Sequence, residues 1–230
     1  MRPINKGETP RTYKRYQDAQ TDLVTRIGKY CSYCERPIKS SLAVEHIQPK
    51  SKYPNLERDW DNFLLGCSNC NSSKSAKDVQ LADYVWPHLD NTFLAIQYLE
   101  AGRVTFNPHF RQKAQNIIEL TGLDKEPGHP NLHKRPTQTD YRWSDRKEVW
   151  DIAKAKLKKL QNQELKNSDT EDIREIIVEL AQATGMFSIW MKIFEDDIDM
   201  KRRFIEAFAG TKRECFDANG RAIDLSKRNA

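Results

Sequence analysis

The chain has 230 residues, enough for one or two domains. Hydrophobic residues make up 38% and charged residues 31%, and five Trp, nine Phe and eight Tyr supply the bulk of a real core, which excludes wholesale disorder. The net charge is only +5, no apolar run approaches the ~18 residues of a membrane span, and MRPINKGETPRTYKRY lacks the apolar stretch of a secretory signal, so a cytoplasmic protein with no membrane partner is expected.

Residues 17–27 read as a helix, with Leu23, Val24 and Ile27 on one face and Gly28 ending it. Residues 42–47 form a β-rich run stopped by Pro49, and residues 59–65 read as a short turn or helix. The polar run NSSKSAKD from Asn71 begins another helix. Residues 93–98 and 103–106 flank an Ala101-Gly102 turn, which predicts a β-hairpin. Asn107-Pro108 then opens a helix to Leu120 that Gly122 closes. Residues 124–143 contain Pro127, Pro130 and Pro136 and read as a connection.

The remainder is mostly helical. Asp145 with Glu148 and Ser168 with Glu171 have capping-box spacing. Ile173, Ile176, Ile177 and Leu180 recur at helical spacing, as do Phe187, Trp190, Ile193 and Phe194, giving stripes that face a core or a partner. The lysine run over 154–159 reads as a solvated helix face, with nucleic-acid contact the lesser alternative. Asn219-Gly220 predicts a terminal hairpin turn.

Four of the five cysteines stand as Cys31-Ser-Tyr-Cys34 and Cys67-Ser-Asn-Cys70. Two disulfides would need an oxidising compartment, and a single CxxC would suit redox chemistry. Two matched pairs in a reducing compartment favour a four-cysteine zinc site. Cys215 stands apart and reads as an ordinary, half-buried thiol. The charge points the same way: residues 1–80 carry 14 Lys/Arg against 9 Asp/Glu, while 81–144 carry 7 against 7 and 145–230 carry 17 against 17. The basic excess therefore shares its segment with the cysteines, and such a segment attracts polyanions.

Between the cysteine pairs lie Glu45-His46 and Trp60-Asp-Asn62, with Asn71 and Lys74 just beyond Cys70. Each alone has a bland reading, a hydrogen-bonded structural His or a buried Asn that satisfies backbone. Together they tether a carboxylate, an imidazole and an amide to one metal framework. Carboxylate and amide oxygens suit Mg²⁺ or Mn²⁺, whereas thiolates suit Zn²⁺.

CSYC, VEHIQP, DWDNFLLGC and CNSSK together resemble the zinc-supported HNH endonuclease motif, the ββα-metal fold, over roughly residues 31–77. The resemblance implies that His46 is the catalytic base and Asn62 the middle Asn. It makes Glu45 and Asn71 ligands of a catalytic Mg²⁺ or Mn²⁺, Cys31, Cys34, Cys67 and Cys70 ligands of a structural Zn²⁺, and Lys74 a substrate contact. Glu45 stands where the family commonly has Asp. The opening MRPINKG, the FLAIQYLEAGRVTFNP hairpin and the CFDANG ending extend the resemblance to the HNH subunits of Septu-type and retron-associated anti-phage systems. That family implies a nuclease working beside an ABC/SMC-like ATPase of the PtuA type.

The expected fold class is α+β: a ββα-metal HNH core with a four-cysteine zinc site, then a β-hairpin and a mostly α-helical C-terminal region. The expected division is an arm and helix over 1–30, the nuclease core over 31–80, a hairpin, helix and connection over 81–143, and a partner-binding helical region over 144–230. Phe187, Trp190, Ile193, Phe194, Phe204 and Phe208 are expected to supply the large apolar groups that face the partner. Two other readings stand beside the DNA endonuclease: an RNA-cleaving enzyme of the same fold, and a zinc-stabilised nucleic-acid-binding module without catalysis. One difficulty is geometric, since neighbours on a regular strand face opposite ways and Glu45 and His46 share a site only if the strand twists or ends there.

Overall fold

The structure is a computed structural model that describes residues 1–161 and 167–225. The chain enters as an extended arm, makes a 3-10 turn over Tyr16–Ala19 and continues into α1 (Gln20–Ile27), where Leu23 and Ile27 are buried. Gly28 ends the helix with φ +74°, as the sequence predicts. β1 (Ala43–His46) and β2 (Phe63–Gly66) pair antiparallel, with Glu45 opposite Leu64 and His46 opposite Phe63. The segment read as a turn or helix is thus a 3-10 turn, Trp60–Asn62, followed at once by a strand. Phe63, Leu64 and Leu65 are all buried, so the strand has no alternation to reveal it.

The helix expected from Asn71 starts earlier. α2 (Ser68–Lys74) has Cys67 as its N-cap residue and ends at Ser75, whose φ is +50°. It places Cys67 and Cys70 three residues apart on one helical face. Beyond it come a helical turn, α3 (Thr92–Ala95), and the expected hairpin, β3 (Ile96–Tyr98) paired with β4 (Val104–Phe106). The turn of this hairpin packs on the start of the next long helix so closely that a Cβ at Gly102 would lie 2.5 Å from the Trp143 carbonyl. Glycine is required there both for that approach and for φ +70°.

α4 (Arg111–Thr121) follows a 3-10 turn capped by the Asn107 side chain, and Gly122 closes it in the left-handed conformation. α5 (Arg142–Leu160) begins before the expected boundary: Asp145 lies inside its first turn, and no capping box forms there. Asp140 instead fixes the start, its carboxylate accepting from the Arg142 backbone and guanidinium. α6 (Asn167–Thr184), α7 (Phe187–Ile193) and α8 (Ile198–Ala207) complete the helical part. The Ser168 side chain lies outside the described residues. Near the end, Asp217 accepts from the Asn219 and Arg221 amides around a turn with a single bridge, Phe216 to Ala222, rather than a full hairpin.

The aromatic residues expected to face a partner do not. Phe187, Trp190, Phe194, Phe204 and Phe208 are 0–2% exposed and Ile193 is half-buried. Trp190, Phe194 and Phe204 lie 5.5–6.1 Å apart by ring centroid, and Phe187 meets Phe208 at 5.4 Å. They fill the space between α7 and α8. The neighbouring acids are engaged within the chain: Asp197 caps α8 and pairs with Arg174, and Asp199 meets Arg174 and Arg203. Cys215 is fully buried rather than half-buried. No helix among the described residues is long and apolar enough to cross a membrane.

Candidate active site

The first cysteine knuckle is a tight turn. Cys31 N–H donates to Arg36 O at 3.0 Å and Glu35 N–H donates to Cys31 O at 2.9 Å. The second is the first turn of α2. Together they bring the four Sγ atoms within 4.8 Å of one another, all buried. The Cys34 and Cys67 sulfurs are 3.7 Å apart. A tetrahedral zinc with Zn–S bonds of about 2.3 Å needs sulfurs about 3.8 Å apart, so the cluster fits the zinc type.

Two arginines face the thiols. Arg142, 2% exposed, donates to Cys70 Sγ at 3.1 Å, to Thr121 O at 2.7 Å and to both oxygens of Asp140 at 2.8 Å. Burial works against its charge, yet Asp140 and the sulfurs outweigh that and hold its pKa up. Arg36 stands in the field of Cys67 and Cys34 and donates to Asn69 at 2.6 Å. Sequence reading missed both arginines. Arg36 had a local signal, two residues beyond Cys34; Arg142 had none, lying 72 residues from Cys70.

Glu45 and Asn71 meet across Gly66. A Cβ at that glycine would lie 3.1 Å from Glu45 Cβ and 3.8 Å from Asn71 Cβ, so its absence lets the strand and helix residues share one corner. Glu45 is 3% exposed, and burial raises its pKa despite Lys74, whose Nζ lies 3.0 Å from Oε1. Among the described residues no directed hydrogen bond engages the Glu45 or Asn71 side chain. Glu45 is engaged only through its ion pair with Lys74, and carboxylate and amide oxygens are of the kind a hard cation takes. The buried Tyr33 hydroxyl also lacks a hydrogen-bond partner, and after burial itself the charge of Glu45 is what most raises its pKa.

His46 ends β1 and reaches different neighbours from Glu45. Its ring lies 4.7 Å from that of Tyr16 and 5.3 Å from that of Phe63. Its Nε2 is 2.9 Å from Glu57 O, an arrangement that suits hydrogen on Nε2 and leaves Nδ1 with a lone pair. Burial, with help from Lys50 and Lys74, lowers its pKa from the ordinary value. Lys74 spans the two neighbours: its Nζ donates to His46 O at 2.7 Å while pairing with Glu45. At 1% exposure this side chain is turned inwards, away from the solvent face where the resemblance put it on a substrate. The reason is local, because Nζ is drawn to the Glu45 carboxylate and the His46 carbonyl at the end of β1.

Asn62, 5% exposed, closes the 47–62 loop. Its Oδ1 accepts from Gln48 N–H at 2.7 Å, and its Nδ2 donates to Gln48 O at 3.0 Å and Leu56 O at 3.2 Å. From outside, Lys6 of the arm donates to the carbonyls of Trp60, Asp61 and Phe63 at 2.5–3.0 Å. Burial lowers the Lys6 pKa to about 8.

The β1–β2–α2 unit carries a carboxylate and an imidazole on its first strand and an amide on its helix, the order that the sequence resemblance implies. Residues 31–77 match the HNH endonuclease family, so the chain carries an HNH endonuclease domain. Over 71 residues it is 36% identical to the Septu protein PtuB of Bacillus thuringiensis, a match covering 30% of this chain and 28% of that relative.

Proposed function

We propose that this protein is a metal-dependent endonuclease that hydrolyses phosphodiester bonds in DNA, working in the cytoplasm as the nuclease of an anti-phage complex with an ABC/SMC-like ATPase of the PtuA type. The observation that carries the chemistry is the anchoring of His46, the residue after Glu45 on β1, through Nε2 to Glu57 O. The likeness to a Septu protein supports the defence setting.

A lowered pKa keeps His46 neutral at pH 7, the state a general base needs. Nδ1 takes a proton from the water that attacks phosphorus. Glu45 and Asn71 would hold Mg²⁺ or Mn²⁺, which when bound polarises the phosphate and offsets charge on the departing oxygen. Asn62 keeps the His46 loop in place through its three backbone hydrogen bonds. Lys74 is a positioning residue here, setting the end of β1 through both Glu45 and His46 O. Zn²⁺ on the four thiolates would leave no open coordination position, so its contribution is rigidity.

The test incubates the purified chain, alone and with its ATPase, on DNA and on RNA with Mg²⁺. DNA cleavage is expected, and His46→Ala should lower its rate by about 10²–10⁴-fold or more with metal content and helical signal unchanged. Cleavage by His46→Ala at the parental rate overturns the assignment, and cleavage confined to RNA overturns the substrate.

A further inference from the structure

With Lys74 directed inwards, the cations that could meet a phosphate backbone beside the candidate site are those of the loop after β1 and of the arm. The surface next to His46 supplies several. Residues 14–17 of the arm and the loop after β1 face one another across a groove of about 570 Å³ lined by Lys14, Arg15, Tyr16, Lys50, Glu57 and Arg58. His46 does not line this groove itself, but two of the lining residues touch it. Tyr16 lies against the His46 ring, and Glu57 supplies the carbonyl that holds Nε2.

The charges in the groove are not equally free. Lys50 lies 4.3 Å from the Tyr16 ring centroid and 3.4 Å from Glu57, while Arg15 pairs with Asp18 at 2.9 Å. Lys14 and Arg58 are exposed and make no ion pair among the described residues. At Arg58 the groove meets a second one of about 850 Å³ whose lining includes Glu8, Asp59 and Asp61. Those acids repel phosphate, so the basic stretch has a defined far end.

We infer that this groove seats the backbone of one nucleic-acid strand to one side of the scissile phosphate, with Lys14 and Arg58 as its phosphate contacts. The inference rests on the nuclease reading and adds to it where the substrate lies. Phosphate contacts of this kind position a strand without reading its bases. Tyr16 joins the track to the chemistry, since a strand held over Lys50 bears on the ring that packs against His46.

The experiment measures binding apart from cleavage. In a His46→Ala background without added Mg²⁺, the full chain is titrated with a fluorescent DNA duplex at several salt concentrations. Adding Lys14→Gln and Arg58→Gln together should reduce the slope of log affinity against log salt by about 1.8, at about 0.9 per lost duplex contact. In the His46 parent the same pair should raise KM and leave kcat within about two-fold, as expected for ground-state positioning. Lys158→Gln with Lys159→Gln, on the exposed face of α5, should change neither quantity. If the parent binds and cleaves DNA but the groove pair leaves the slope unchanged, the groove assignment fails and the nuclease reading stands. A slope that falls only for the α5 pair overturns it equally. If the parent binds no nucleic acid at all, the nuclease reading itself fails.

Discussion

The four-cysteine corner and the aromatic cluster between α7 and α8 are both buried, yet they are built from opposite chemistry. The corner holds four thiols and two cations, Arg36 and Arg142, in close apposition. The cluster holds Trp190, Phe194 and Phe204 in mutual ring contact, with Phe187 on Phe208 beside it. Four buried thiols bring little apolar area of their own, so the order of the corner is tied to metal binding, while Phe63, Leu64 and Leu65 of β2 beside it join the apolar core. The helical part has large apolar groups in number and is held by their burial. Among the contacts that join the two is Glu35 of the first knuckle, whose carboxylate accepts from Ser188 N–H at 2.7 Å and Ser188 Oγ at 2.6 Å.

The largest effect should come from removing the metal. Structural zinc in small domains contributes on the order of 10–16 kcal/mol of apparent binding free energy at pH 7. Chelation, or Cys67→Ser, should therefore abolish hydrogen-exchange protection over residues 31–77 first, while protection in α7 and α8 persists. Metal analysis on the untreated protein should give one zinc per chain. Simultaneous loss of protection in both regions would show that the aromatic cluster has no stability of its own, and the contrast between the two would break.

The converse experiment cuts into the cluster. Phe204 is 0% exposed and touches both Trp190 and Phe194. Phe204→Ala removes those contacts and leaves a cavity, at a cost of about 3–5 kcal/mol. Denaturant unfolding should report that loss with zinc content unchanged. A loss below about 1 kcal/mol would mean the site collapses freely and the packing is loose.

Most of the corner was legible in the sequence because its chemistry is local. Two CxxC pairs announce a shared site, and Glu45-His46, Asn62 and Asn71 stand at fixed offsets from them. Gly28, Gly122 and the Ala101-Gly102 turn punctuate the chain where expected, since a residue that stops a helix or turns a hairpin does so through its own backbone. What was not legible depends on distant pairing. The strand Phe63–Gly66 is buried along its length and so carries no alternation. Arg142 reaches Cys70 only because α5 starts beside α2 and α4. The aromatic stripe at 187–194 has the same spacing whether it faces a partner or α8, and periodicity cannot choose between them. Lys74 shows the same limit at the scale of one side chain: its position in the motif is fixed, but its direction is set by Glu45 and the His46 carbonyl on β1.

The smallest effect concerns the seam between the arm and the C-terminal end. His88 lies there, flanked by the charges of Lys6 and Lys212, with Nδ1 buried and without a hydrogen-bond partner among the described residues. Burial, reinforced by those two lysines, lowers its pKa to about 3. An unfolded chain would protonate the same ring near pH 6.5. Below that pH the unfolded state therefore binds a proton that the folded state refuses, so stability is complete above pH 6.5 and falls as the solution is acidified towards pH 3. By pH 5 the loss should be about 1–2 kcal/mol, since each pKa unit corresponds to about 1.4 kcal/mol. Comparing denaturant unfolding at pH 7 and pH 5 for the parent and for His88→Gln isolates this part, because every other titrating group is the same in both. The variant should lose about 1–2 kcal/mol less than the parent. Equal losses would mean that the ring accepts a proton in place, and that the seam between the arm and the C-terminal end opens to water.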